Sequence, residues 1–475
     1  MSRMRNALAS FVAASGVALF ASTTIASTAG DPTEPAFRAL YKELVETNTT
    51  LSAGSCTVAA ERMAARLAAA GYPAEDIHLF ATPDHPREGG LVAVLRGRDP
   101  SAKAILLLAH IDVVEAKRAD WTRDPFTLVE ENGYFYGRGT SDDKAMAASF
   151  TDAMIRYRKE GFHPRRDIKL ALTCGEETGE AFNGADWLAT QHRDWIDAGF
   201  ALNEGAGGLL DGHDKPVYLG IQAGEKVYQD FRLETTNPGG HSSRPVPDNA
   251  IYHLAAALTR LSAFDFPAQM SDTTRAYFSR TGVLIGGDSG AAMIALAKDP
   301  TNTAAEAIVS RDPSWHSMLR TTCVATLLDG GHATNALPQR AGANVNCRIF
   351  PGVSVETVRS TLASVIADPK VTVTPSGELS PTPPPPPLSA RVLGPAEQVA
   401  HDMWPGVPVI PTMSTGATDG RYLNARGIPT YGLSGMFSEP SRSGVHGLNE
   451  RIAVKSLMDG RTYLYRVVKL YAEAR

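Results

Sequence analysis

Acidic or imidazole side chains stand directly after each of three short apolar runs in the sequence. They are His110 and Asp112, Glu176 and Glu177, and Glu204. Short apolar runs bounded by Gly, Pro or charged residues are typical of buried strands. Because ligands of open α/β sheets bind beyond the carboxyl ends of the strands, we expect these side chains to gather at one edge. Carboxylate and imidazole groups together favour a divalent metal ion.

A further acid, Asp142, lies in the Gly-rich turn Tyr136-Gly-Arg-Gly-Thr-Ser-Asp142-Asp143-Lys144. This turn lacks the Gly-x-x-x-x-Gly-Lys spacing of a phosphate-binding loop, and it supplies acids where a phosphate needs donors. A helix is predicted over 145–157, so backbone N–H groups at its start would orient the Asp142 carboxylate. The two oxygens of that carboxylate could bridge two metal ions about 3.5–4 Å apart.

Two close pairs suggest a division of roles. Asp112 lies on the same strand face as His110 and can orient the histidine ring. Glu176 and Glu177 point in opposite directions in extended chain, so one can bind metal while the other faces the attacking water. Taken singly, these motifs also fit a structural histidine and a solvated acidic turn. A late histidine, His446, lies in the Gly-containing loop 443–447.

The pattern of elements predicts two kinds of architecture. Strands over 91–95, 104–109, 168–173 and 200–202 alternate with helices over 57–70 and 145–157, which favours an α/β sheet with covered faces. After Gly224 an alternating strand over 227–235, a helix over 249–262, a strand pair and a helix over 355–366 predict a separate α+β unit.

A chain of 475 residues is too long for one ordinary core. We predict an α/β catalytic domain, with a mixed, mostly parallel sheet flanked by helices, formed by residues 30–223 and 388–475. A smaller α+β domain over 224–380 is predicted to be inserted as a lid or dimerisation unit. Prolines in 381–387 would form a stiff extended connector.

Residues 1–29 are predicted to be a signal peptide, because Arg3 and Arg5 precede an apolar stretch and small residues. A membrane anchor is the alternative, although the stretch is short and rich in Ala, Ser and Thr. We therefore expect an exported protein, periplasmic or secreted, with no stable membrane association after cleavage. The net charge of -5 and the scattered Lys and Arg residues argue against a nucleic-acid partner.

The four cysteines lack the paired close spacing of a structural zinc site. Export permits a disulfide, and Cys323 and Cys347 could face each other across a hairpin. Isolated buried thiols are the alternative for all four positions.

In their order along the chain, these motifs resemble the metal-ligand set of the M20 metallopeptidases, over roughly residue 31 to the C-terminus. The resemblance implies two zinc ions, with cobalt or manganese as possible substitutes. It also implies that Asp112 assists catalysis and that Glu176 is the general base. The implied ligands are His110 and Glu204 for one ion, Glu177 and His446 for the other, and Asp142 shared by both.

This sequence departs from the family pattern at two positions. Asp143 stands where many members have Met, and we expect it to shape local geometry and not to bind metal. Asn203 stands where others often have Asp, which leaves the contacts next to Glu204 in doubt.

The resemblance extends to residues that would bind substrate. His241, in Asn-Pro-Gly-Gly-His, would polarise the scissile carbonyl, often from a partner subunit, so a homodimer is possible. Asn335 and Arg348 would bind a substrate oxygen and a carboxylate. Gly416, in the loop 414–419, would receive the carboxylate through backbone donors.

The predicted function is zinc-dependent hydrolysis of an amide bond next to a free carboxylate, in a short peptide or an N-acyl amino acid. The segment 120–126 favours the carboxypeptidase branch, and dipeptidase or aminoacylase activity are alternatives. A serine hydrolase built on Gly287-Asp-Ser-Gly290 would lack the strand-turn-helix context of its nucleophile. A non-enzymatic exported binding protein would need no acid beside a metal site.

Overall fold

The computed structural model describes residues 31–178, 182–439 and 442–474. The predicted signal segment, 1–29, lies outside these residues. Within the described part, every helix is too short or too polar to cross a membrane. The architecture is a large mixed sheet flanked by helices together with a smaller antiparallel sheet, which confirms the predicted α/β class.

The described chain forms helices throughout its length. They are α1 Glu34–Glu46, α2 Cys56–Ala69, α3 Lys144–Lys159, α4 Gly184–Gln191, α5 Arg193–Ile196, α6 Ala250–Ser262, α7 Asp272–Ile285, α8 Gly287–Lys298, α9 Thr303–Val309, α10 Pro313–Met318, α11 Val355–Ile366, α12 Ala390–Met403, α13 Gly420–Ala425 and α14 Val454–Glu473.

The strands belong to four sheets. They are β1 Ile77–Thr82, β2 His85–Leu95, β3 Ile105–His110, β4 Val129–Glu131, β5 Tyr134–Tyr136, β6 Ile168–Thr173, β7 Phe200–Asn203, β8 Gly208–Leu210, β9 Pro216–Glu225, β10 Val227–Thr236, β11 Gly240–His241, β12 Thr322–Gly330, β13 Ala336–Leu337, β14 Arg340–Ile349, β15 Val371–Ser376, β16 Val409–Ser414, β17 Thr430–Gly432, β18 Phe437–Ser438 and β19 Arg451–Ala453.

The large sheet has ten strands in the order β1-β2-β6-β3-β7-β17-β9-β8-β18, with β16 also paired to β9. Its centre is parallel: β3 pairs in parallel with both β6 and β7, and β17 pairs in parallel with β7. Both β3 and β6 are buried along their whole length, as expected for strands covered on two faces. The carboxyl ends of β6, β3 and β7 therefore lie side by side at one edge of the sheet.

The smaller sheet has four antiparallel strands in the order β12-β14-β10-β15. Helices α6 and α11 pack on one face of this sheet and form a core with it, through residues such as Leu254 and Leu362. Strand β12 is at the edge, and most of its side chains are exposed. The two-stranded β11–β13 pair follows the far end of β10.

Four helices, α7 to α10, occupy residues 272–318, for which the sequence pattern predicts no regular structure. They share a core with Ile410 and Met413 of β16 in the large sheet and with Phe350. Four glycines interrupt the helical pattern in this segment, which hid it from a periodicity argument. Gly282 and Gly290 allow α7 and α8 to touch, since a Cβ on either would lie within 2.7 Å of the other's carbonyl oxygen.

All four cysteines form disulfides, so the alternative of isolated thiols was wrong. Cys323 and Cys347 are register partners on β12 and β14 and are bonded. Cys56 is bonded to Cys174, which the sequence analysis did not anticipate because 118 residues separate them.

Candidate metal centre

Three predicted ligands meet at the carboxyl end of β3. The Nε2 atom of His110, the last residue of β3, lies 3.1 Å from Oδ1 of Asp142 and 3.8 Å from Oε2 of Glu204. The His110 ring is buried. Glu204 directly follows β7, the parallel neighbour of β3, so adjacent strand ends bring these groups together.

The other oxygen of Asp142 faces the second predicted histidine. Oδ2 of Asp142 lies 3.1 Å from Nε2 of His446, and the same nitrogen lies 3.0 Å from Oε2 of Glu177. Asp142 thus contacts one histidine through each oxygen, as a carboxylate shared by two metal ions would. The five predicted ligands converge on one place.

The spacing of these atoms suits metal binding. One ligand atom from each of His110, Asp142 and Glu177 lies within 4.8 Å of the others, and the same is true of His110, Glu176 and Glu204. Imidazole nitrogen with carboxylate oxygen is a donor set found in zinc sites.

The acids of the centre shift the pKa values of one another and of the nearby histidine. Burial, reinforced by the nearby Asp142 carboxylate, raises the pKa of Glu177. The hydrogen bond with Asp142, together with the charge of Glu177, raises the pKa of His446 to about 9. A positive charge is therefore favoured beside these crowded acids, and a bound cation would supply one.

Glu176 and Asp112 lie beside the ligand cluster. The Asp112 carboxylate accepts backbone hydrogen bonds from Glu176 N at 3.4 Å and Glu177 N at 3.0 Å, and so holds the loop that carries both acids. The Nδ1 atom of His110 is 3.1 Å from the backbone carbonyl oxygen of Asp112 and 3.5 Å from its carboxylate. Asp112 is thus placed to fix both the ring and the loop. Burial, with smaller contributions from nearby carboxylates, raises the pKa of Glu176.

A further buried acid, Glu450, supports the centre and was not singled out from the sequence. Its carboxylate accepts hydrogen bonds from the backbone N–H groups of Gly139, Ser141 and Asp142 and from the guanidinium of Arg138. Glu450 therefore joins the Gly-rich turn to the loop that carries the late histidine. The signal available in the sequence was that Glu450 lies in the same short segment, 443–450, as His446.

A cleft of about 1100 Å³ opens next to Glu176 and Glu177. Arg348 of β14 lines it, with its guanidinium 4.7 Å from the centre of the Tyr228 ring. Among the described residues, no carboxylate forms an ion pair with Arg348. Arg421 of α13 lines the same cleft. The cleft thus offers guanidinium groups beside the predicted base, and Arg421 was not among the predicted residues.

The remaining predicted substrate residues are placed differently. His241 and Asn335 are exposed and lie next to each other on the β11–β13 pair, where Ser242 N donates to the Asn335 carbonyl. Within the described chain, neither side chain forms a hydrogen bond or ion pair with a predicted ligand. The Gly416 N–H, predicted to face a carboxylate, donates to Oγ of Ser414 at 3.0 Å.

The sequence profile of peptidase family M20/M25/M40 matches residues 106–470, a region that contains all five predicted ligands. The chain belongs to peptidase family M20. It is therefore a metallopeptidase or amidohydrolase, which confirms that it is an enzyme and removes the alternative of a binding protein. The Gly287–Gly290 motif of the serine hydrolase alternative begins helix α8 directly after helix α7, with no strand before it.

Similar proteins carry two kinds of name. An N-fatty-acyl-amino acid synthase/hydrolase of Bos taurus is 30% identical over 387 residues, covering 76% of this chain and 73% of the relative. A probable carboxypeptidase S-like protein of Dictyostelium discoideum is 29% identical over 390 residues, covering 80% and 74%. Among solved structures, the M20 metallo-carboxypeptidase of Sulfolobus solfataricus shares the fold, with a TM-score of 0.67, 20% identity and coverage of 92% and 99%.

Proposed function

We propose that this M20 enzyme hydrolyses an amide bond next to a free carboxylate, in an N-acyl amino acid or a short peptide. The observation that carries the proposal is the position of the acid pair Glu176 and Glu177, which lies between the ligand cluster and the cleft lined by Arg348. Relatives named as an N-fatty-acyl-amino acid hydrolase and as a carboxypeptidase act on substrates of these two kinds.

The centre would hold two zinc ions, with cobalt or manganese as substitutes. One would be bound by His110 and Glu204, the other by Glu177 and His446, with Asp142 between them. Two such ions supply Lewis acidity and bring the pKa of a bound water towards neutrality. The fit rests on the distances given above. Carboxylate oxygens of Asp142 and Glu204 lie near Nε2 of His110. Carboxylate oxygens of Asp142 and Glu177 lie near Nε2 of His446.

Glu176 is the proposed general base. A Glu176 oxygen lies within 4.8 Å of ligand atoms of His110 and Glu204. In the proposed ligand sets Glu176 is not a ligand, which leaves its carboxylate free for proton transfer. It would take a proton from the attacking water and then deliver it to the leaving nitrogen. Asp112 would assist by holding the Glu176 backbone through the hydrogen bond described above.

Arg348 is proposed to bind the substrate carboxylate. Among the described residues the guanidinium of Arg348 makes no direct ion pair, and its nearest acidic influence is the charge of Asp230 in the same cleft. Such a guanidinium beside a cleft favours an anionic group of the ligand. The loop around Gly416 would contribute backbone donors only if the Gly416 N–H exchanged its bond to Ser414 for one to the substrate. Asn335 would reach the substrate only together with His241, because its carbonyl accepts a hydrogen bond from N of Ser242, the residue after His241.

We further propose that His241 acts from a partner subunit. Strand β10 begins next to the centre and has 10 residues, about 33 Å of extended chain, so His241 lies beyond its far end. The exposed edge strand β12 carries Val324, Leu327 and Leu328, which are 61%, 69% and 70% exposed. An apolar, unpaired strand edge is a natural surface for a second copy.

Export to an oxidising compartment is also proposed. The two disulfides support it, because such bonds persist in oxidising environments and are rare in the cytosol. Cleavage of the segment 1–29 would release the protein from the membrane after translocation.

The function is tested with Glu176→Gln. We expect this variant to keep its metal content and to lose turnover about a hundredfold or more, because only the proton transfer is removed. Hydrolysis of N-acyl amino acids and dipeptides, followed by amine release, and elemental analysis measure the two effects. The control is Glu75→Gln, which changes an exposed acid in the 74–76 turn.

Three results would contradict the proposal. These are near-normal turnover of Glu176→Gln, activity that survives a chelator, and inhibition of the wild-type enzyme by a serine-reactive fluorophosphonate.

A further inference from the structure

A second group of candidate metal ligands surrounds the disulfide of Cys56 and Cys174. Ligand atoms of Cys56, Cys174 and Asp112 lie within 4.8 Å of one another, and all three residues are buried. None of the three is a predicted ligand of the metal centre, but Asp112 also contacts the His110 ring and the loop of the acid pair. In the oxidised enzyme the two sulfurs are bonded to each other, so they are not available to a metal ion.

A small cavity adjoins this group. Its volume is about 10 Å³, which is room for one water molecule or one ion. Besides the disulfide and Asp112, the side chains of Thr49 and Glu88 line it. Within the described chain, the buried atoms Thr49 Oγ1 and Glu88 Oε2 have no hydrogen-bond partner. Because buried polar atoms are almost always paired, two unpaired oxygens at one cavity indicate an occupant that satisfies them, a water molecule or a cation.

The charges at this cavity favour a cation. Asp112 and Glu88 are the acids of its wall, and Arg87 is the base. The guanidinium of Arg87 donates to the carbonyl oxygens of Leu51 and Gly54, each at 3.2 Å. Two thiolates would add two further negative charges. The wall of a reduced enzyme would therefore carry excess negative charge together with sulfur ligands, which zinc and other soft metal ions prefer.

The positions of the three residues suit a zinc ion. Tetrahedral zinc binds thiolate sulfur at about 2.3 Å and carboxylate oxygen at about 2.0–2.2 Å, so its donor atoms lie about 3.5–3.8 Å apart. The Cα atoms of Cys56 and Cys174 are 6.0 Å apart, and rotation of the two side chains would separate the sulfurs to that spacing. The Thr49 hydroxyl, the Glu88 carboxylate or a water molecule is available for the fourth position.

We propose that Cys56, Cys174 and Asp112 form a third zinc site when the Cys56–Cys174 disulfide is reduced, and that zinc in this site inhibits the enzyme. The Asp112 carboxylate accepts hydrogen bonds from the N–H groups of Glu176 and Glu177. A zinc ion beside the two sulfurs would compete with these N–H groups for the same oxygens and would shift the loop that carries the proposed base. The inhibition rests on the proposed function, whereas the binding of the third ion does not.

The chemistry has two steps. A phosphine gives two electrons to the disulfide: the S–S bond breaks, the two sulfurs take the two protons of a water molecule, and the oxygen of that water converts the phosphine to its oxide. Zinc then displaces the two thiol protons, which pass to the solvent, and forms two Zn–S bonds. Because only the reduced pair binds the ion, zinc and reduction favour each other.

The experiment uses the full chain with Cys323→Ser/Cys347→Ser, in which Cys56 and Cys174 are the remaining cysteines. The metal-loaded protein is kept oxidised or is reduced with a phosphine, by refolding in the phosphine if the buried bond does not react. After incubation with zinc and gel filtration, elemental analysis should find one more zinc ion per chain in the reduced form. Cobalt in place of zinc should give thiolate-to-cobalt charge-transfer absorption in the reduced form and not in the oxidised one.

Cys56→Ser/Cys174→Ser is the matched control. It keeps the Cys323–Cys347 pair, which yields the same number of thiols but is not part of a candidate ligand group among the described residues. Its zinc content should be the same with and without the phosphine. Added zinc should lower kcat of the reduced Cys323→Ser/Cys347→Ser enzyme about tenfold or more, relative to the same reduced enzyme without added zinc. The control should respond to zinc equally with and without the phosphine.

A measurement on the wild-type enzyme covers the case in which a double variant does not fold. After reduction, zinc should protect Cys56 and Cys174 from alkylation, as mass spectrometry of the peptides would show. Cys323 and Cys347 should react at the same rate with and without zinc.

The outcomes separate this inference from the proposed function. Equal zinc contents in the two redox states, an equal gain of zinc by the control, or loss of the native circular dichroism on reduction would overturn the third site. A gain of zinc without loss of kcat would overturn the inhibition. Absence of hydrolysis in every form would instead contradict the proposed function, and the zinc contents would still test the site.

Discussion

The two ends of the β10–β14 strand pair have different surroundings. At the near end, Arg348 pairs in register with Tyr228 and lines a cleft next to the metal centre. At the far end, β10 leads through an exposed loop to His241. The near end adjoins the large sheet of the same chain, whereas His241, beyond the far end, pairs with Ala336 of β13.

This difference shows which parts of the proposed site are formed by residues of a single chain. The predicted ligands, the predicted base and the predicted carboxylate-binding arginine are neighbours within the chain. The histidine that the family resemblance assigns to the scissile carbonyl is not among them. The extended length of β10 separates the two groups, so a second copy is the simplest source of the missing histidine.

The largest effect is expected when His241 and Glu176 are substituted in different chains and the two variants are then combined. His241→Ala should lower turnover about a hundredfold, the usual cost of removing one donor to the developing oxyanion. Neither His241→Ala nor Glu176→Gln should then be active alone. If His241 acts across a dimer, a mixture of the two refolded together should recover about a quarter of wild-type activity, because heterodimers contain one intact site.

The control is the same mixture without dissociation of the parent oligomers, which should stay inactive. Recovery that fails although mixed dimers are detected by mass spectrometry would place His241 and Glu176 in one chain, or show that His241 has no role.

The disulfides offer a second test, since one holds the loop of the acid pair and the other joins two strands of the smaller sheet next to Arg348. Cys174 is two residues before Glu176 and ties the catalytic loop to the first residue of α2, whereas Cys323 and Cys347 join strands that are already hydrogen-bonded. The double variant Cys56→Ser/Cys174→Ser should lower kcat about tenfold or more, because small displacements of a base are costly. Cys323→Ser/Cys347→Ser should keep kcat within about twofold.

Both double variants should also melt at lower temperature, which shows that the bonds were present. The chain-entropy treatment gives about 5 kcal/mol for the bond that closes 118 residues and about 3 kcal/mol for the one that closes 24. Equal loss of kcat in the two variants would show that the Cys56–Cys174 bond stabilises the fold without positioning the loop.

Much of the metal centre could be predicted because its residues follow local rules. His110 and Glu204 end or follow buried strands, and the order of parallel strands then brings them together. Helix α11 and strand β6 have the predicted bounds, since a Ser354 cap marks the start of α11 and the apolar run of β6 lies between Asp167 and Gly175.

What could not be predicted depends on contacts distant in sequence. No local pattern links Cys56 to Cys174 or Glu450 to the Gly-rich turn. Helices α7 and α8 were missed because Gly282 and Gly290, which allow the two helices to pack closely, look like breaks in a periodic pattern. Helices α9 and α10 have only 7 and 6 residues, too few to show a clear period. The distance from His241 to the centre depends on the direction of β10, which a motif does not contain.

The connection between β9 of the large sheet and β10 of the smaller sheet gives the last prediction, with the smallest expected effect. Lys226, between β9 and β10, is buried, and its ammonium donates to the Ser317 carbonyl, Ser317 Oγ and Thr322 Oγ1. No acid pairs with it in the described chain. Burial, with the charges of Arg348 and Arg320, lowers its pKa from 10.5 to about 7.

The unfolded chain therefore holds this proton more tightly than the folded one between about pH 7 and pH 10, and stability should rise with pH over that window. Lys226→Met removes the effect. Its melting temperature relative to wild type should thus be highest near pH 7 and should fall by a few degrees towards pH 9, as about 2 kcal/mol of relative stability returns to the wild type. Scanning calorimetry at several pH values measures this, with Lys215→Met, at an exposed position, as the control. A constant difference between Lys226→Met and wild type would mean that Lys226 stays charged in the folded chain and that its hydrogen bonds fully replace the water it has lost.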